Sequence, residues 1–97
     1  MDEATIRRHA EQHAKANEAG DFDTAMKDLS DEGRTNLREV GRALPRPIET
    51  AEVLEVTGGG DRWTTKISYR GGDTETIVES DWEEREGRPM IVELRLT

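Results

Sequence analysis

Residues 62–70 alternate without a break: Trp63, Thr65, Ile67 and Tyr69 fall on one side, Arg62, Thr64, Lys66, Ser68 and Arg70 on the other. A period of two predicts a strand with one apolar and one charged face. Gly71-Gly72 then signals a two-residue primed hairpin turn, which pairs Arg70 with Asp73 and Trp63 with Ser80. Residues 74–84 bring Thr76, Val78, Ser80 and Trp82 to the Trp63 side. Residues 89–97 alternate again, with Met90, Val92, Leu94 and Leu96 against Ile91, Glu93, Arg95 and Thr97. A two-residue turn at Glu86-Gly87 would set Arg95 opposite Val78 on the apolar side, since a one-residue slip flips every side chain. A three-residue loop with a bulge, Arg85-Glu86-Gly87, sets Trp82 opposite Met90 instead and is the expected register. It also places Glu79 beside Glu93, a repulsion that a partner's arginine or a metal ion would relieve. The first strand, 49–57, is expected with Leu54 and Val56 inward, and Gly58-Gly59-Gly60 closes its hairpin. The four segments predict an antiparallel meander.

A sheet with one apolar face must be covered, and only the first 44 residues can cover it. Ile6, Ala10, His13, Ala14 and Asn17 make one stripe of a helix over 3–18. Phe22, Ala25, Met26 and Leu29 make the face of a second over 22–29, with Asp21 as its N-cap. Ser30 caps a third over 31–43, with Leu37, Val40 and Leu44 buried. The expected class is α+β: two to three N-terminal helices on one face of a curved, cone-like, four-stranded sheet. The chain is read as a single domain, 1–97. Leu, Ile, Val and Phe supply only 17 of 97 residues, a level at which charged chains are often disordered. Here the regular periodicity overrides that signal.

Composition removes several classes of function. There are 22 acidic and 14 basic residues, a net charge of −8, which disfavours sequence-independent binding to nucleic acid phosphates. There is no cysteine, hence no thiolate metal site and no cysteine nucleophile. Met90–Val92 is the longest apolar run of the sheet half, far from the roughly 20 residues of a membrane span. No secretory leader is visible, so a cytoplasmic location is expected.

Ala19-Gly20-Asp21-Phe22-Asp23 between two helices, and the hairpin Trp82-Glu83-Glu84-Arg85-Glu86-Gly87-Arg88-Pro89-Met90-Ile91-Val92, resemble the nuclear transport factor 2-like, or SnoaL-like, families. The resemblance spans most of the chain. It implies a cone with an internal pocket and a homodimer, on a fold that hosts isomerases, lyases and many non-enzymes. In enzymes of these families an inward aspartate, alone or paired with histidine, commonly moves the proton. The inward strand positions here hold no carboxylate.

Candidate chemistry is therefore sparse. His13 sits on the helix stripe, where it is either a hydrogen-bonded core residue or a pocket base. Glu52, inward if Leu54 is, is its only plausible acid–base partner. Trp63, Thr65, Tyr69, Thr76, Ser80, Trp82 and Met90 either build the core or line a pocket for a small apolar ligand, and Tyr69 or Thr65 would orient a carbonyl oxygen. His9 and His13, four apart, can share a metal, but no third ligand follows, so no metal and no cofactor are expected. Ile77 and Ile91 are the large apolar side chains of the charged face and mark a small dimer contact. The expectation is a homodimeric module that binds a small molecule or a protein without catalysis. The alternative is an isomerase or lyase using His13.

Overall fold

The computed structural model describes residues Met1–Thr97. Helix α1 spans Glu3–Glu18, and Asp2 caps it by accepting from the Thr5 amide at 2.8 Å. Its stripe of Ile6, Ala10, His13 and Ala14 is buried as the spacing requires. Helix α2, Phe22–Met26, starts on Asp21, which accepts from the Thr24 amide and hydroxyl. A single turn of 3₁₀ helix at Glu32–Arg34 and helix α3, Leu37–Ala43, complete the N-terminal layer. Strands β1 (Thr50–Gly59), β2 (Arg62–Gly71), β3 (Thr74–Arg85) and β4 (Arg88–Leu96) form one antiparallel sheet in the order β1-β2-β3-β4. The α+β meander covered by helices is as the alternation predicts.

The second helix is shorter than its apolar spacing suggested. The chain leaves the helix after Met26 because Asp28–Ser30 pairs with the outer edge of β4. The Ser30 amide donates to the Ile91 carbonyl at 2.9 Å, and the Ile91 amide to the Asp28 carbonyl at 2.6 Å. This short parallel bridge at Leu29 satisfies edge groups that would otherwise be open to another chain. The third helix likewise begins at Leu37 rather than 31. Gly33 presses on the same edge, and a Cβ there would lie 2.2 Å from the Ile91 carbonyl oxygen.

Three registers differ from expectation, each for a local reason. The β2–β3 turn is Gly72-Asp73, one residue later than expected, with Gly72 supplying the positive φ of 58°. Trp63 therefore faces Trp82 rather than Ser80, while the shift by an even number keeps every side chain on its predicted face. The β3–β4 turn is the two-residue Glu86-Gly87, both with positive φ. Trp82 then faces Ile91, not Met90, and a bulge at Val92 returns the later residues to their expected faces two positions out of the expected register, so that Ser80 faces Leu94 rather than Val92 and Glu79 faces Arg95. In β1 a bulge at Leu54 lets Val53 and Val56 both point inward. Leu54 itself is 46% exposed.

The core joins Ile6, Ala10 and Ala14 of α1 to Trp63, Ile67, Val78, Trp82, Ile91 and Leu94 of the sheet. Ile91, expected outside, is fully buried, and each such aliphatic side chain stabilises the fold by roughly 1.5–3 kcal/mol. The opposite face is a web of charges. Arg95 donates to Glu79 at 2.6 Å, to Asp81 at 2.8 Å and to Glu93 at 2.5 Å. Arg62 adds bonds to Asp81 and Glu83, and the Thr64 hydroxyl donates to Asp81 at 2.7 Å. The expected pairing of Glu79 with Glu93 does not form: Glu79 faces Arg95 and Glu93 faces Asp81, and Arg95 bonds all three carboxylates. Arg95, then Thr64 and Arg62, hold the Asp81 carboxyl well below the usual carboxylate range against the opposing effect of its burial.

Candidate functional site

A cavity of about 510 Å³ lies between the helices and one end of the sheet. Its walls combine Ala25 and Leu29 near α2, Val40 of α3, Ile48, and Val78 and Leu94 of the sheet, all buried. Outward lie Phe22, Met26, Leu37 and Leu44, less buried, then the exposed Arg38, Arg42 and Arg46. The Pro45–Pro47 stretch closes one side because it seats against the β2–β3 hairpin. There a Cβ on Gly71 would meet the Pro47 carbonyl oxygen at 2.1 Å. Volume and apolar lining fall in the range typical of small-molecule sites.

Three polar side chains break the apolar lining at its buried end: His13, Asn17 and Tyr69. His13 is 6% exposed. Its Nδ1–H donates to the Asp28 carboxylate at 2.9 Å, and its ring meets Trp82 edge-on with centroids 6.1 Å apart. Asp28 also accepts from Arg88 at 2.5 Å. The Asn17 amide donates to the Tyr69 hydroxyl at 3.0 Å and reaches His13 Nε2 at 3.4 Å. With Nδ1 carrying the proton, Nε2 presents its lone pair at the cavity end, held only by the long contact to Asn17. Burial pushes the Tyr69 phenol up to about 12, with the Asn17 bond acting in the opposite sense. Tyr69 is therefore a neutral O–H at physiological pH, able to donate to an oxygen placed in the cavity.

Of the residues singled out from sequence, the structure brings His13 and Tyr69 together at the cavity and no others. Glu52 sits opposite Ser68 on the charged face, exposed and away from His13, because the Leu54 bulge reverses the parity on which its inward placement rested. Met90 faces Glu83 on that outer side. Trp63, Thr65, Ser80 and Trp82 are buried at the filled end of the sheet, where the Trp82 indole donates to the Thr65 hydroxyl at 3.0 Å. Thr76 is spent on the Ala43 carbonyl. Asp28 was hidden because a helix drawn through residue 29 turns it off the apolar face. Asn17 was in view on the first helix's stripe, without a partner to give it meaning. His9 is half-buried, and burial, then the Arg88 charge, lowers its pKa. No group of three or more histidine, aspartate or glutamate side chains is placed to hold a metal ion.

No family model matches the sequence, and no curated protein matches it. Solved structures do. An NTF-2 like protein of unknown function from Burkholderia xenovorans LB400 superposes with a TM-score of 0.66 at 24% identity, over 98% of this chain and 84% of that one. The fold is nuclear transport factor 2-like. A protein from Kribbella flavida DSM 17836 gives 0.57 at 17% identity, over 91% and 81% of the two chains. A SEC-C motif containing protein from Rhodopseudomonas palustris gives 0.57 at 25% identity, over 86% and 71%. The likeness is one of fold, and no helix in the chain is long and apolar enough to cross a membrane. On this fold the helices cap a cone, and here the two tryptophans fill one end of the sheet while the cavity occupies the other.

Proposed function

We propose that this domain binds a small molecule with a mainly apolar body, one polar group of which reaches His13 and Tyr69. The observation that carries the reading is the cavity of about 510 Å³, apolar except for the arginines at its mouth and a polar inner end built from two elements, His13 and Asn17 of α1 and Tyr69 of β2. A core filled by its own side chains, the protein-interaction alternative, would leave no such space. Gly41 lines the cavity, and a Cβ on it meets nothing within 4 Å. Gly41→Phe therefore places a ring in the space with little demand on the backbone. Phenylnaphthylamine, an uncharged fluorophore that brightens in apolar surroundings, should bind the wild type saturably at one site. The variant should bind it about tenfold more weakly or worse, a loss of about 1.4 kcal/mol. Equal affinity in the two proteins would contradict the reading.

The His13–Asp28 bond supports a second reading, proton transfer beside a carbonyl. Asp28 fixes the tautomer, Nε2 takes a proton from carbon, and the Tyr69 hydroxyl donates to the oxygen that gains charge. The Asn17 amide must yield its place at Nε2 for this. His13→Gln should remove any isomerase or lyase turnover found in a carbonyl-substrate panel, and turnover that survives it would end this reading. Homodimerisation, implied by the family resemblance, would have to use the charged sheet face through Ile77, since Ile91 is in the core. Sedimentation equilibrium reads it directly.

A further inference from the structure

We propose that the ligand carries an anionic head, held at the cavity mouth by Arg38, Arg42 and Arg46. The inference rests on the cavity being a binding site, and it names the chemistry of the occupant's outer end. The chain has 22 acidic residues, yet none lines the cavity, whereas three arginines do. They recur every four residues, so Arg38 and Arg42 share one face of α3 and Arg46 follows just past its end.

Ordinary surface logic does not account for them. All five arginines of the sheet, Arg62, Arg70, Arg85, Arg88 and Arg95, are ion-paired, and none of these three is. Arg42 in the last turn of α3 is favoured by the helix dipole, but Arg38 lies in the first turn, where a cation is disfavoured. Like charges four apart on a helix also repel. The nearest acid in sequence, Glu39, is not a cavity residue and pairs with neither neighbour. Guanidinium groups match carboxylate, sulfonate and phosphate oxygens in paired geometry. A molecule with an apolar body in the cavity and one such head at its mouth would satisfy both the lining and the rim.

Anilinonaphthalene sulfonate and phenylnaphthylamine share a body and differ by the anionic group, so they separate the two ideas. Each exposed contact with an arginine is worth roughly two- to fivefold, so three give on the order of tenfold. The sulfonate should bind wild type about tenfold tighter than the uncharged probe at low salt. The margin should shrink at high salt and collapse in Arg38→Gln/Arg42→Gln/Arg46→Gln. Gly41→Phe should weaken both probes, which places them in the cavity. The three arginines are exposed, so the triple variant should keep its fold, which circular dichroism checks. Equal affinity for the two probes, or a margin that survives the triple substitution, would overturn the anionic head and leave the cavity reading standing. Failure of both probes to bind would overturn both.

Discussion

Tyr69 is the chain's single tyrosine, so its ionisation can be followed by ultraviolet absorbance without deconvolution. Its pKa is raised by burial from 10.0 to about 12. The buried phenolate is disfavoured, so the linked stability is fully present below pH 10 and is lost as pH rises from 10 toward 12. The amount is about 2–3 kcal/mol. The titration should show a midpoint near 12 in the folded protein, and a midpoint near 10 would mean that the hydroxyl is exposed. Asp81 has the opposite sign. Its lowered pKa stabilises the fold above the ordinary aspartate value of 3.8, and that stability fades as pH falls below it. Asp81→Asn should cost about 1–3 kcal/mol at neutral pH, discounted for the half-exposed Arg62 and partly exposed Arg95. The cost should diminish in acid, as read by urea unfolding. At this scale the sequence displayed His13 and Tyr69 but not Asp28, whose role depends on a backbone pairing 63 residues away in the chain.

Among the elements, the contact of Asp28–Ser30 and Gly33 with β4 decides where the helices stop. Gly33→Ala drives a methyl into the Ile91 carbonyl and should cost about 1–3 kcal/mol by overpacking. The resulting drop in thermal midpoint is measurable by calorimetry, and an unchanged midpoint would show that the edge contact is loose. Alternation and turn glycines made the four strands and their faces legible. What they do not encode is the bulge. At Leu54 and Val92 one extra residue changes the parity part-way along a strand, and an argument that assumes constant parity then misplaces Glu52, Met90 and Ile91. Arg95 shows the cost of that assumption most clearly. It ruled out the correct two-residue turn, although the bulge returns it to the charged face beside Glu79.

For the whole molecule, the meander and its helical cover followed from periodicity, but the position of the cavity did not. Inward strand residues are equivalent in a pattern, whereas in the fold the tryptophan end is filled and the Tyr69 end is left open by α3 and the Pro45–Pro47 stretch. Which end is open depends on how a short helix and a proline stretch pack, and that is not a local property of the sequence. On the proposed function, this open end is a ligand site terminating at an oriented imidazole. Nitrogen NMR of the histidine rings, with and without phenylnaphthylamine, tests it most directly. The neutral His13 ring should be protonated at Nδ1 and bare at Nε2, with ligand shifting the Nε2 signal and leaving the Trp63 indole unchanged. A proton on Nε2 in the free neutral ring, or ligand shifts confined to the Trp63 end, would contradict it.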